Sequence, residues 1–357
     1  MHQPLPHHPS LRRWTASLLT AVALAACSES ESLPTEPGGG TANTAINNIL
    51  ASPTINASAS DTLVYFSFAD NAVVPSSATW DIALRRYEVR LNGGVSGTGG
   101  VTGYSLGNNR SLTGPQVLAL TADNTLAAFD SVRAAQIPVD SLFQSDRLVA
   151  NGTAFLNLAG APTANATAYW KVRTASGAFS LMRVSAITMS PAFALTSVTF
   201  EVRPQTGTAL GAPSAFTVPI GTVPVNVSLT TGAAVTVSGC NWDVLVTPQT
   251  FAISVNSACN VATYPGPTAP AFAGQTSASD APQYAAFLAS MAGPIPNSIT
   301  DVQAPFRYNL AGTNRLDPAF NTYLVKTATR VYKLQVIGYY NASGASGYPT
   351  LRYSRIR

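Results

Sequence analysis

Two Trp-Asp strands constrain this chain most. Thr79-Trp80-Asp81-Ile82 with Tyr87-Glu88-Val89 is answered far downstream by Asn241-Trp242-Asp243-Val244 with Phe251-Ala252-Ile253. Other segments recur in a shared order. Phe155-Leu156-Asn157-Leu158-Ala159-Gly160 returns as Phe306-Arg307-Tyr308-Asn309-Leu310-Ala311-Gly312, and Tyr169-Trp170-Lys171-Val172-Arg173-Thr174-Ala175 as Tyr323-Leu324-Val325-Lys326-Thr327-Ala328. Phe179-Ser180-Leu181 matches Tyr332-Lys333-Leu334 at the offset that separates Val172 from Val325. Thr199-Phe200-Glu201-Val202-Arg203 answers to Thr350-Leu351-Arg352-Tyr353-Ser354-Arg355. Self-similarity in fixed order is the mark of repeated supersecondary units. It predicts a mainly β chain with a few short helices, built as two tandem β units, 45–204 and 205–357. The alternative is one domain, 45–148 plus 300–357, split by a β insertion at 149–299.

Composition agrees with strands. Hydrophobic residues make up 46% of the 357, while charged residues make up only 10%, against the usual quarter. Thr, Val, Asn and Gly fill the difference, and they suit strands and turns. Leu63-Val64-Tyr65-Phe66-Ser67-Phe68 is one such strand. In the Trp80 strand, Trp80, Ile82 and Leu84 share one parity and Tyr87, Val89 and Leu91 the other. A bulge near Arg85-Arg86 is expected to shift the phase. The glycines from Gly93 to Gly107 predict a loop. It lacks a phosphate-cradling pattern. Thr125 to Arg133 predicts a short helix. So does Asp280 to Met291, where Pro282 falls in the first turn and Tyr284, Phe287, Leu288 and Met291 form one apolar face.

The N-terminus is a targeting segment. Arg12 and Arg13 precede a short apolar run, Leu18 to Ala26, too short to span a bilayer. It ends Leu24-Ala25-Ala26-Cys27, which resembles the bacterial lipobox. Residues 1–27 therefore read as a lipoprotein signal peptide, with Cys27 the lipidated first mature residue. Several acyl chains would anchor it stably. Residues 28–44, with Ser28-Glu29-Ser30-Glu31-Ser32 and Gly38-Gly39-Gly40, read as a flexible tether. The acidic run resembles the export signals of some surface lipoproteins, and is equally explained as linker.

Cleavage at Cys27 removes His2, His7 and His8, all three histidines. Imidazole-based triads and His-ligated zinc are then excluded. Cys240 and Cys259 are the remaining thiols, and an exported chain favours a disulfide between them. The ten acids after Leu84 are scattered with no paired signature, which argues against a two-carboxylate glycosidase and against an enzyme generally. Charge is segregated. No Lys or Arg falls between Cys27 and Leu84, and none between Pro204 and Phe306. The basic residues are dispersed, so nucleic acid is not an expected partner. A small anionic ligand, or simply a mixed surface, fits better.

Two regions carry a family resemblance. Tyr65-Phe66-Ser67, Trp80-Asp81-Ile82-Ala83 and Asn92-Gly93-Gly94 resemble the opening of HmuY-type lipoproteins. Tyr323-Leu324-Val325-Lys326-Thr327-Ala328, Tyr332-Lys333-Leu334-Gln335-Val336-Ile337-Gly338-Tyr339-Tyr340 and Ser346-Gly347-Tyr348-Pro349-Thr350-Leu351-Arg352-Tyr353 resemble their C-terminal strands. The resemblance implies a β-rich, lipid-anchored protein at the outer membrane, facing the cell surface or the periplasm. Such proteins capture haem and work with a TonB-dependent receptor in iron acquisition. The family ligates haem through paired histidines or methionines. With no mature histidine, Met182, Met189 and Met291 are the candidates here, a thioether being an acceptable axial ligand. Met182 and Met189 are seven apart and would face opposite sides of a regular strand. Met291 on an apolar helix face is equally a core residue. Arg85, Arg86 and Arg90 could hold propionates, or form a solvated strand face. Trp80 and Trp242 read as core aromatics. The alternative to haem capture is a surface lipoprotein of the same fold that binds another ligand or a protein.

Overall fold

Strand alternation explains the longest elements. In the strand Leu195–Thr206, Val198, Phe200 and Val202 are buried, and Ser197, Thr199 and Glu201 between them stay half-exposed. Side chains at alternate positions face opposite sides of a sheet, so the inward set builds the core. The computed structural model describes residues 45–59, 62–158, 161–165, 167–266 and 271–357. The leader 1–27 with Cys27, and the tether 28–44, lie outside the described residues. The described residues belong to one mainly β unit. Among them, no helix is long and apolar enough to cross a membrane.

The repeat seen in sequence is a repeat in structure. The first Trp-Asp sheet orders its strands Ala72–Val74, Val64–Ser67, Ile82–Arg85, Glu88–Leu91. The second orders them Ala233–Ala234, Val225–Ser228, Val244–Thr247, Ala252–Val255. Each is matched by an antiparallel meander. The first meander is Trp170–Arg173, Phe179–Met189 and Leu195–Thr206. The second is Thr322–Lys326, Val331–Tyr340 and Ser346–Arg355. Their flanks correspond too. Thr102–Ser105 leaves the first Trp-Asp sheet and pairs with Thr322–Lys326, and Ala262–Pro265 leaves the second and pairs with Trp170–Arg173. On the far edges lie Leu50–Ala51 and Ser214–Pro219.

The tandem division into 45–204 and 205–357 is corrected by the packing. Phe66, Ile82, Leu84, Val89 and Leu91 of the first Trp-Asp sheet share a core with Tyr323, Val325, Tyr332, Leu334, Leu351 and Tyr353 of the second meander. Val227, Val244, Val246, Ile253 and Val255 of the second sheet share the other core with Trp170, Val172, Met182, Val184, Phe200 and Val202 of the first meander. This packing follows the alternative, one domain of 45–148 plus 300–357 with the second lobe inserted between its halves, and the boundary 204/205 falls inside the strand Leu195–Thr206. A local repeat specifies each module's apolar face but not which copy covers it.

Four finer expectations also change. The Trp80 segment is a hairpin, not a bulged strand. Arg86-Tyr87 is a two-residue turn, and Ile82 faces Leu91 while Leu84 faces Val89. Both parities thus bury on one side. Part of the glycine loop is the strand Thr102–Ser105. The second meander's first turn is one residue shorter than the first meander's, so the strand after it is displaced by one position. Met182 and Val184 correspond in burial to Leu334 and Val336, and Leu181 corresponds to Lys333. Finally, Asp280–Met291 is not helical. Ala289–Ala292 is a strand paired with Arg147–Ala150. Its entry is held by the Thr263 hydroxyl, which donates to Phe287 O at 2.6 Å and accepts from Ala289 N at 3.0 Å.

Helices α1, Gly114–Leu118, and α2, Leu126–Ser131, lie in the segment that covers the second meander's outer face. The expected helix at 125–133 is α2. That outer face is cationic. Lys333 Nζ and Arg352 Cζ stand 4.8 and 4.9 Å from the Phe129 ring centroid, and Lys333 Nζ donates to the carbonyls of Phe129, Asp130 and Val132 at 2.9–3.1 Å. In the second lobe Cys240 and Cys259 are joined in a disulfide, with Cα atoms 5.5 Å apart.

Candidate functional site

A cleft of about 650 Å³ opens between the lobes, within the size range of small-molecule sites. One wall is the hairpin Arg85–Arg90 of the first Trp-Asp sheet. Leu156 to Leu158, Tyr169, Trp170, Ser290 and Met291 also line the cleft. Local bonds fix these walls. Trp170 Nε1 donates to Ala289 O at 2.7 Å, and Val89 N donates to Asn297 Oδ1 at 3.0 Å. Leu91 N donates to the Asp146 carboxylate at 3.0 Å. Burial raises the Asp146 pKa above the ordinary range, opposed by its bonds from Ser96 and Leu91 and by Arg90.

The structure brings Arg85, Arg86, Arg90 and Met291 to this one cleft. Their electrostatics differ. Glu88, the cross-strand partner of Arg85, accepts Arg85 Nη2 on both carboxylate oxygens at 2.6 Å. It also accepts Arg90 Nη2 at 3.1 Å. One carboxylate thus serves two guanidinium groups. Arg86 has no ion-pair partner among the described residues, and its guanidinium donates to the Tyr339 hydroxyl. It holds φ +50°, a left-handed conformation that ordinary side chains rarely adopt, and its N–H donates to Ala57 O at 2.6 Å.

Met291 reaches the cleft from a strand, not from a helix. Its Sδ lies 3.9 Å from Ser96 Oγ, whose hydroxyl also bonds the Asp146 carboxylate. Met182 is fully buried and Met189 half-buried against the second-lobe core, so neither lines the cleft. The opposite-face expectation for that pair is corrected. A register shift between Val184 and Ala186 adds an unpaired residue, which reverses the parity and turns both methionines to one core. Trp80 is buried, whereas Trp242 is half-buried.

Sequence reasoning missed Glu88, Tyr169, Tyr339 and Asn297. Glu88 becomes legible only once Arg85 and Glu88 are known to face each other across a turn. In the sequence Tyr169 stands out only as part of the repeat. Burial and the Asp280 charge raise its hydroxyl well above the ordinary range, with Arg85 opposing, so it stands neutral in the cleft wall. Tyr264 is likewise raised by burial, and its hydroxyl donates to Val95 O at 2.9 Å. Among the described residues, no group of three or more His, Cys, Asp or Glu could hold a metal ion.

Comparison with known proteins adds the following. No curated protein matches the chain. Three solved structures are similar over most of their length. One is described as a HmuY-like haem-binding protein, from Bacteroides vulgatus, with 11% identity, 86% of this chain and 90% of that chain covered, and TM-score 0.31. Another is described as a lipoprotein, from Bacteroides fragilis, with 12% identity, coverage of 86% and 89%, and TM-score 0.31. The third is the apo form of a HmuY analogue from Tannerella forsythia, with 8% identity, coverage of 87% and 97%, and TM-score 0.31. The family model for the HmuY protein matches residues 59–353, most of the chain, and the chain belongs to the HmuY family.

Proposed function

We propose that this protein is a lipid-anchored outer-membrane protein that captures haem or a related porphyrin in the cleft between its lobes. It then passes the ligand to a TonB-dependent receptor, and its role is binding rather than catalysis. The observation that carries this reading is the convergence of Arg85, Arg86, Arg90 and Met291 on one cleft of about 650 Å³. Family membership supports it. Guanidinium groups suit propionate carboxylates through charge-assisted bonds. Leu156, Leu158 and Trp170 offer apolar surface to a ring face, and the Met291 thioether is a possible axial group for iron. Titration of the mature protein with haemin, oxidised and reduced, tests the reading. A saturable Soret shift at one equivalent is expected, and its absence at stoichiometric haemin would sink the proposal.

A further inference from the structure

The cleft is rich in groups for carboxylates and poor in groups for iron. Its wall presents three guanidinium groups and one thioether, and burial holds the phenols of Tyr87 and Tyr169 in the neutral form, a poor ligand for iron. No histidine occurs among the described residues, and the other two described methionines pack against the second-lobe core.

The three arginines are not equivalent. A ligand carboxylate at Arg85 or Arg90 must share its cation with Glu88, and is repelled by that carboxylate. Arg86 carries neither burden. Its backbone is held in a strained conformation that presents the side chain on the cleft wall, and strain of this kind persists where the surroundings enforce it, commonly at functional sites.

Resting on the porphyrin reading, we propose that the cleft recognises its tetrapyrrole by the carboxylates, with Arg86 the principal binding residue, and that it takes iron-free dicarboxylate porphyrins as well as haem. The substrate class is then the anionic tetrapyrrole, whatever metal it carries.

The test compares haemin, iron-free protoporphyrin and its dimethyl ester on the mature protein, read by quenching of tryptophan fluorescence. The two dicarboxylates are expected to bind within about threefold of each other. Loss of one charge-assisted contact corresponds to about tenfold or more in affinity, so the diester should bind at least that much more weakly. Arg86→Ala should weaken both dicarboxylates together by a similar factor, Arg86→Lys by less, and Met291→Ala should change the two affinities by the same factor rather than haemin alone. Near-UV circular dichroism of each variant reports whether it is folded. Haemin binding more than tenfold tighter than the iron-free porphyrin, or loss of haemin binding but not of iron-free porphyrin binding in Met291→Ala, would overturn the inference while leaving the porphyrin reading standing. Failure of both dicarboxylates to bind would overturn the porphyrin reading itself, and this inference with it.

Discussion

Asp81 and Asp243 are structural equivalents. In the first lobe the Asp81 carboxylate accepts Phe68 N at 2.7 Å, and in the second the Asp243 carboxylate accepts Leu229 N at 2.7 Å. The next bonds also correspond. Asn92 Nδ2 donates to Trp80 O at 2.7 Å, and Asn256 Nδ2 donates to Trp242 O at 3.0 Å. The Trp-Asp dipeptide is therefore a fastening. Its aspartate caps the strand beside it, and an asparagine at the end of the following hairpin ties down the tryptophan carbonyl. The copies differ in one respect. Asp243 also accepts Ala175 N at 2.7 Å from the meander packed on it, whereas Asp81 borders a cavity of about 250 Å³ beside Thr327 to Arg330.

That difference predicts unequal responses to mutation. Asp243→Ala leaves two amides without their acceptor, and should cost about 2–4 kcal/mol. Asp81→Ala should cost less, because it orphans the Phe68 amide without a matching bond to the meander. Urea denaturation of the two variants measures the order.

The fastening was legible as a pattern before it was understood. Trp-Asp recurs in sequence because one hydrogen-bond scheme recurs in space, and Thr199–Arg203 matches Thr350–Ser354 because both strands alternate onto equivalent cores. The repeat left two assignments of sheet to meander open, tandem and split, since either copy offers a suitable apolar face, and the packing selects the split one. The Arg86 turn was hidden because no Gly or Asn marks its left-handed position. The Tyr284-Phe287-Leu288-Met291 spacing imitated a helix, but tertiary pairing of Ala289–Ala292 with Arg147–Ala150 overrode it. The site residues Arg85, Arg86, Arg90 and Met291 were each nameable, yet the arginines lie on one hairpin and Met291 on a strand far downstream, and only the fold shows that they share a cleft.

Asp81 also makes acid stability depend on its protonation. Burial raises its pKa from 3.8 to about 6, against the lowering effect of the Phe68 amide and Arg330. Between those values the folded state holds a proton that the unfolded chain releases, so this group's contribution to stability falls as pH rises from about 4 to 6 and stays low above. Asp81→Asn removes the dependence. Its stability relative to the parent protein should rise between pH 4 and pH 7, by at most about 3 kcal/mol, and urea titrations at the two pH values measure the change.

Lys333 acts at the alkaline end. Burial lowers its pKa from 10.5 to about 8, with Arg133 adding to the effect and Asp130 opposing it. The unfolded chain then binds more protons between pH 8 and 10.5, so this group's contribution makes stability rise with pH across that window. Lys333→Met should flatten the rise. The same variant removes the donor to the Phe129, Asp130 and Val132 carbonyls, and limited proteolysis should show faster cleavage near α2.

The Cys240–Cys259 disulfide closes a short loop in the second lobe, its cysteines separated by 19 positions. Chain-entropy reasoning assigns such a loop about 3 kcal/mol. Neither cysteine lines the interlobe cleft. Reduction, or Cys240→Ser with Cys259→Ser, should lower the denaturation midpoint accordingly while changing porphyrin affinity by less than about twofold. A parallel loss of affinity would show that the disulfide holds the cleft wall.

Arg86 offers the sharpest separation of stability from binding. At φ +50° its side chain bears a left-handed penalty of about 1–2 kcal/mol. Arg86→Gly removes that penalty. It adds unfolded-state freedom worth about 0.5–1 kcal/mol, and loses the bond to the Tyr339 hydroxyl, worth about 1 kcal/mol. These effects nearly cancel, so folding stability should stay within about 1 kcal/mol of the parent. Porphyrin affinity should nevertheless fall about tenfold or more. Arg86→Val lacks the compensation, because a β-branched residue in this conformation is strained further, and it should lose both stability and binding. Guanidinium denaturation beside porphyrin titration measures the two effects. If Arg86→Gly destabilises the fold by more than about 2 kcal/mol yet binds porphyrin as well as the parent does, the arginine is held at this turn for the fold and not for a ligand.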